Sequence, residues 1–122
     1  MNFRYLMIVN AVTGILFGAG FVVAPGLLSS LFGIAATPVS DFALRMYGAA
    51  VLGYGLLGWL VRWNTDRDLQ KPVLTAVLVT DFGGFLAVLF AQLSGLMNAL
   101  GWSVVVLLLL LSAAYAYGRF SS

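Results

Sequence analysis

Apolar and polar positions along this chain alternate in blocks rather than in stripes. Four stretches, roughly residues 4–23, 41–63, 73–93 and 101–118, are apolar on every side and separated by short polar or Gly/Pro-containing segments. A soluble amphipathic helix carries polar residues at every third or fourth position. Stretches of about 20 residues without them are long enough to cross a hydrocarbon layer about 30 Å thick. The pattern predicts an all-α fold: a membrane-embedded four-helix bundle, with residues 1–122 as a single transmembrane domain. Ala24-Pro25-Gly26 ends the first span, because proline has no N–H for a continuing helix. The polar run from Asn64 to Lys71 separates the second span from the third, and Pro72 suits the third span's first turn.

The connection from Pro25 to Ser40 is itself apolar. Leu27, Leu28, Leu31, Phe32 and Ile34 are spaced to allow a short helix lying in the membrane interface. Residues 95–101 echo residues 26–32, and Gly84-Phe85-Leu86 echoes Gly14-Ile15-Leu16 at nearly the same offset. This suggests two helix hairpins in parallel repeat. Coincidence in a chain rich in Leu and Gly is the other reading.

Composition agrees with the membrane assignment: 62% of residues are hydrophobic, 8% are charged, and mean hydropathy is +1.05. Cysteine is absent, which excludes disulfides and thiolate metal sites. Histidine is absent too, removing the commonest metal ligand and the usual base of a nucleophilic triad. With no carboxylate pair within a span and no phosphate-binding loop, the chain reads as a non-enzyme without a metal. A net charge of +2 is too small to suggest nucleic acid as a partner. The basic residues instead orient the spans. Arg4, Arg62, Arg67, Lys71 and Arg119 fall on one side, and only Arg45 lies toward the other, so both termini are expected in the cytoplasm of a bacterium, with the spans in its inner membrane. Tyr5, Trp59, Trp63, Tyr115 and Tyr117 gather near the same interface, and Trp102 near the opposite one. A cleaved leader over residues 1–24 is a second reading. Its apolar run exceeds the usual 7–15 residues, and Pro25 is an awkward residue just after a cut.

Asp81 is the chief candidate for function. It sits near the middle of the third span, where a carboxylate costs about 2.5–3.5 kcal/mol on insertion scales, so it calls for a partner, a proton or water. Helix rise places Asp81 about 12 Å above the inner end of its span, with Asn10 and Thr13 at about 9 and 14 Å in the first. Tyr54 and Ser112 come out at similar depth. These residues could form a polar cluster serving as a ligand or proton site. Alternatively, Asp81 pins helix register or pairs with another subunit. Arg45 is the second intramembrane charge. It either pairs with Asp41 one turn earlier or turns inward near Tyr47, over a cavity with Asp81 deeper. Small residues mark the expected packing faces: Gly14 and Gly18 in the first span, Ala49 and Gly53 in the second, and Ala76, Thr80 and Gly84 in the third. On this basis spans one to three form the tight contact, and the fourth presents its outer half to lipid or a partner.

Ala43-Leu44-Arg45-Met46-Tyr47-Gly48-Ala49-Ala50, followed by Gly53 and Gly55-Leu56-Leu57-Gly58-Trp59, resembles the small bacterial four-helix membrane proteins of the DoxX-like group. That group opens its second span with an Arg followed by small residues, and some members accompany quinone-linked oxidoreductases. The resemblance implies an inner-membrane accessory protein with Arg45 at the matching position; Asp81 has no counterpart in it. Small multidrug exporters share the length and span number, but their membrane acid lies in the first span, where this chain has Asn10. The first expectation is therefore a non-enzymatic membrane protein that binds an apolar ligand such as a quinone or lipid, or stabilises a larger membrane complex. The alternative is a proton-coupled transporter using Asp81, most simply as a homo-oligomer. Membrane lipids are partners in either case.

Overall fold

The computed structural model describes residues 2–120, which form five helices: α1 (Phe3–Val23), α2 (Pro25–Leu31), α3 (Pro38–Val61), α4 (Arg67–Leu93) and α5 (Gly101–Phe120). The four longer helices are each long and apolar enough to cross a membrane. Large apolar side chains on each of them, including Leu16, Leu60, Val79, Phe90 and Leu110, face outward. In water that surface would be a liability, whereas in lipid it is the ordinary solvated face. The chain is a multi-pass helical membrane protein.

Local chemistry sets the helix limits. Asn2 caps α1 by accepting from the Arg4 N–H at 2.9 Å. Thr37 and Ser40 cap α3 reciprocally, each side chain accepting from the other's backbone N–H, with Pro38 in the first turn. This starts α3 three residues before the expected position. The third span differs more. Asp66 accepts from Asp68 N–H at 3.0 Å and initiates α4 at Arg67, so Pro72 lies inside the helix, not at its start. As the sixth residue of α4, Pro72 lies in the second turn, where its missing N–H costs the bond that a different residue would make to the Asp68 carbonyl. The short apolar helix expected after Pro25 is present as α2. Its sequence echo at residues 95–101 is instead a series of turns, with Gly95 at φ +77°.

Two helix pairs dominate the packing: α1 with α3, and α4 with α5. Glycine backbones make the first pair close. A Cβ added to Gly18 would lie 2.7 Å from Gly48 O and 2.8 Å from Leu52 N, and one on Gly14 would lie 2.9 Å from Val51 O and 3.0 Å from Gly55 Cα. The small-residue face of α1 is thus the expected one, but that of α3 is not. Gly48 and Gly55, two turns apart, meet α1, whereas Ala49 is exposed and Gly53 has open space around it. The third helix also departs from expectation, since α4 pairs with α5 and does not join a three-helix core. Its Gly83 faces open space, and Gly84 has only ordinary contact with Tyr47 and Leu108.

The two hairpins meet at the end that carries both termini. There Phe3, Leu6 and Met7 of α1 pack in one buried cluster with Val73, Leu74 and Val77 of α4 and Leu111 and Tyr115 of α5. Polar groups close the same end: Arg67 donates Nη2 to the carbonyls of Gly118 (2.8 Å) and Arg119 (3.1 Å) at the end of α5, and Arg119 Nε donates to Thr75 Oγ1 at 2.7 Å. Arg4 lies over the Trp63 ring at 3.9 Å and Arg62 over the Trp59 ring at 3.6 Å.

Because two backbones touch at Gly18, Gly18→Val should separate α1 from α3 and cost about 1–3 kcal/mol of stability. Gly53→Val, facing open space, should cost far less. Thermal melts of both variants in one mild detergent measure the difference.

Candidate functional site

A cleft lies between the hairpins. Joined at the terminus end and standing apart toward α2, they enclose a cavity of about 330 Å3 lined by all four long helices. Its floor is Val77 and Leu111, members of the buried terminus-end cluster. Phe17 and Phe21 of α1 and Leu107 and Leu108 of α5 form apolar walls. Leu28 and Ser29 of α2, with Phe32, Ile34, Leu96 and Met97 of the two connections, line the opposite end.

Asn98 holds that end together. Its backbone N–H donates to Phe32 O at 2.8 Å, and its side-chain amide donates to Leu31 O at 2.9 Å, satisfying carbonyls at the end of α2. Gln92 Nε2 in turn donates to Asn98 O at 3.1 Å. Gly33, at φ +73°, turns the chain directly against the Asn98 side chain. In α3 and α4, which hardly touch each other along their length, Tyr47 spans the gap. A Cβ on Gly84 would lie 3.4 Å from the Tyr47 hydroxyl, and the Tyr47 ring is 5.8 Å from that of Phe21.

The structure brings Asp81, Asn10, Thr13, Tyr47, Tyr54 and Gly84 to this one cavity. None of the others makes a hydrogen bond to Asp81. Asn10 Nδ2 donates across the hairpin to Tyr54 O at 2.9 Å, and its amide packs on Gly58. Thr13 Oγ1 donates to Val9 O, one turn back, at 2.8 Å. Backbone carbonyls within reach have taken these donors. Among the described residues Asp81 has no hydrogen-bond or ion-pair partner, although it is the one acid in the cavity wall. Ser112 is buried on α5 outside the lining, and neither its hydroxyl nor that of the fully buried Tyr115 has a protein partner.

Arg45 does not join the site. It is exposed outside the cavity, donating Nε to Val22 O at 3.3 Å, and it forms no ion pair with Asp41. Neither arrangement expected for it is therefore present; an α1 carbonyl near the end of that helix is closer than any acid. Residues that sequence reasoning passed over include Phe17, Phe21, Asn98 and Leu108, while Thr80, expected on a packing face, lines the cavity instead. Asn98 alone left a signal, as the only amide side chain in an otherwise apolar connection. Among the described residues there is no group of acidic, His or Cys side chains able to hold a metal. Compared with protein-family models, curated proteins and solved structures, the chain matches none.

The two polar residues Asn10 and Asp81 should behave oppositely when altered. Asn10→Ala removes a bond between α1 and α3 and should lower stability by about 0.6–1.7 kcal/mol, the range for bonds between membrane helices. Asp81→Asn breaks no protein contact, and it removes a carboxylate from an apolar surround, so melting should be unchanged or raised. Parallel melts in detergent compare the two.

Proposed function

We propose that this chain is a non-enzymatic protein of the bacterial inner membrane that holds an apolar ligand, of the lipid or quinone class, between its two hairpins. It acts alone or as an accessory subunit of a larger membrane complex, with both termini in the cytoplasm. The observation that carries this reading is the cavity itself. Its size falls in the range of small-molecule sites, its walls are mostly apolar, and a few polar groups converge at one side, the usual composition of a binding pocket. Its position between membrane helices favours a ligand that arrives through lipid, and the gap between α3 and α4 offers a lateral route. The basic residues Arg4, Arg62, Arg67, Lys71 and Arg119 at one end support the orientation. The hairpin pairing of α1 with α3 and α4 with α5 fits a parallel repeat of two hairpins. Kinship with the DoxX-like group rests on residues 43–59, and the exposed position of Arg45 leaves that residue free for contact with lipid or a partner subunit.

A second reading, proton-coupled transport, draws on one observation: Asp81 stands in the cavity with no protein partner. Against it stands the apolar floor of Leu111 and Val77, continuous with the terminus-end core. Transport would require the hairpins to part there, most simply in a homo-oligomer.

Purification in a mild detergent followed by mass spectrometry of co-extracted small molecules tests ligand binding. Wild-type protein should retain a lipid-like molecule, and Leu108→Trp, which fills the cavity, should reduce its amount about tenfold while leaving the protein folded. Retention of nothing by the wild type, or equal retention by the filled variant, would overturn the reading.

A further inference from the structure

The hydrogen-bonding character of the cavity wall narrows the ligand further. Thr13 and Thr80 both line the cavity, and both hydroxyl hydrogens are committed one turn back along their own helices, to Val9 O at 2.8 Å and Ala76 O at 2.9 Å. Each of these oxygens can then only accept. Asn10 gives its amide to Tyr54 O. Beside them stands Asp81, which when ionised is purely an acceptor. The neutral donors that remain are the phenol hydroxyls of Tyr47 and Tyr54, the second amide N–H of Asn10 and, at the α2 end, the buried hydroxyl of Ser29, which has no protein partner.

No basic residue lines the cavity. Arg45 points out of it and bonds Val22 O. Arg4 and Arg62 are engaged on tryptophans, Arg67 on the α5 terminus and Arg119 on Thr75, and Lys71 is exposed. The site therefore has one formal negative charge, a surplus of acceptors and an apolar, aromatic remainder.

We propose that the cleft selects amphiphiles with a protonated amine head: the N–H groups bind Asp81 and the Thr13 and Thr80 oxygens, and the apolar body lies against Phe17, Phe21 and Leu108. This rests on the ligand-binding reading above and narrows its ligand class. A head group with acceptors alone, such as a quinone carbonyl, finds a few neutral donors and leaves the Asp81 charge unpaired. A carboxylate head meets Asp81 as a like charge. An ammonium group supplies the positive charge that the wall lacks together with several donors for its acceptors, and bonds of this kind are stronger than neutral ones. The Tyr47 hydroxyl lies against Gly84, one turn along α4 from Asp81, and brings a further polar group to this wall.

Three probes of equal chain length separate the possibilities: dodecylamine, 1-dodecanol and dodecanoate, each radiolabelled. Each is titrated into wild-type protein in phosphatidylcholine nanodiscs, with protein-free nanodiscs subtracted. Dodecylamine should bind about 10-fold or more tightly than dodecanol, the factor expected for a charged hydrogen bond, and dodecanoate should bind weakest. Asp81→Asn should bring dodecylamine to the level of dodecanol and leave dodecanol unchanged. Thr13→Val should reduce the amine preference several-fold, and Leu108→Trp should exclude all three probes. Equal binding of amine and alcohol to the wild type, or an amine preference that survives Asp81→Asn, overturns the head-group assignment while the ligand-binding reading stands. Failure of all three probes to bind the wild type overturns both.

Discussion

The architecture depends on a close approach of two backbones. At Gly14, Gly18, Gly48 and Gly55 the helices α1 and α3 come near enough that no side chain could be interposed. In lipid this contact cannot draw on the exclusion of water, since hydrocarbon solvates leucine as well as a helix neighbour does. It draws on dispersion between closely fitted surfaces. A contact so specific fixes α1 and α3 as a unit. The second hairpin then packs on that unit only where large side chains reach across, at the terminus end around Leu6, Leu74 and Tyr115. Where those side chains stop, the hairpins stand apart, and the cavity follows from that.

Polar groups follow a consistent rule. Within the helices, hydroxyls and amides satisfy themselves on nearby carbonyls, as Thr13, Thr75, Thr80 and Ser94 do on residues four positions earlier. At the helix ends, longer side chains reach carbonyls of other elements: Arg67 on α5, and Asn98 at the end of α2. An unsatisfied carbonyl in or near hydrocarbon is costly, and these contacts remove that cost while tying the bundle at both ends. The buried hydroxyls of Ser29, Ser112 and Tyr115 depart from the rule, and Asp81 departs furthest because it is an acid. It has neither an N–H or O–H donor to accept from nor a cation, and it lines the cavity, where a further molecule could supply what is missing.

Much of the fold was legible because the bilayer imposes a length on each apolar run. The four spanning helices, the break at Pro25 and the short helix after it follow from run length and from the chemistry of proline. The central position of Asp81 is equally plain, since it interrupts residues 73–93. Choice of face was not legible in α3, where Gly48, Ala49, Gly53, Gly55 and Gly58 surround the helix and any side could have been the small one. Nor was the pairing of α4 with α5, because the Ala76–Thr80–Gly84 face looks like a helix contact and is in part a cavity wall. For Arg45, sequence spacing suggested Asp41, but a carbonyl contributed by α1 was nearer. The cavity walls come from residues distant in sequence, and only the three-dimensional arrangement joins Phe17 to Leu108.

The central claim is that the hairpins touch at the terminus end and separate above it. Disulfide formation between paired cysteines in native membranes tests it most directly. Leu6→Cys with Gly118→Cys should cross-link rapidly, since those positions are in contact, whereas Phe17→Cys with Val88→Cys, on opposite walls of the cavity, should not cross-link without a longer bridging reagent. Equally rapid disulfide formation by both pairs would mean that the hairpins pack along their whole length, and it would contradict the account.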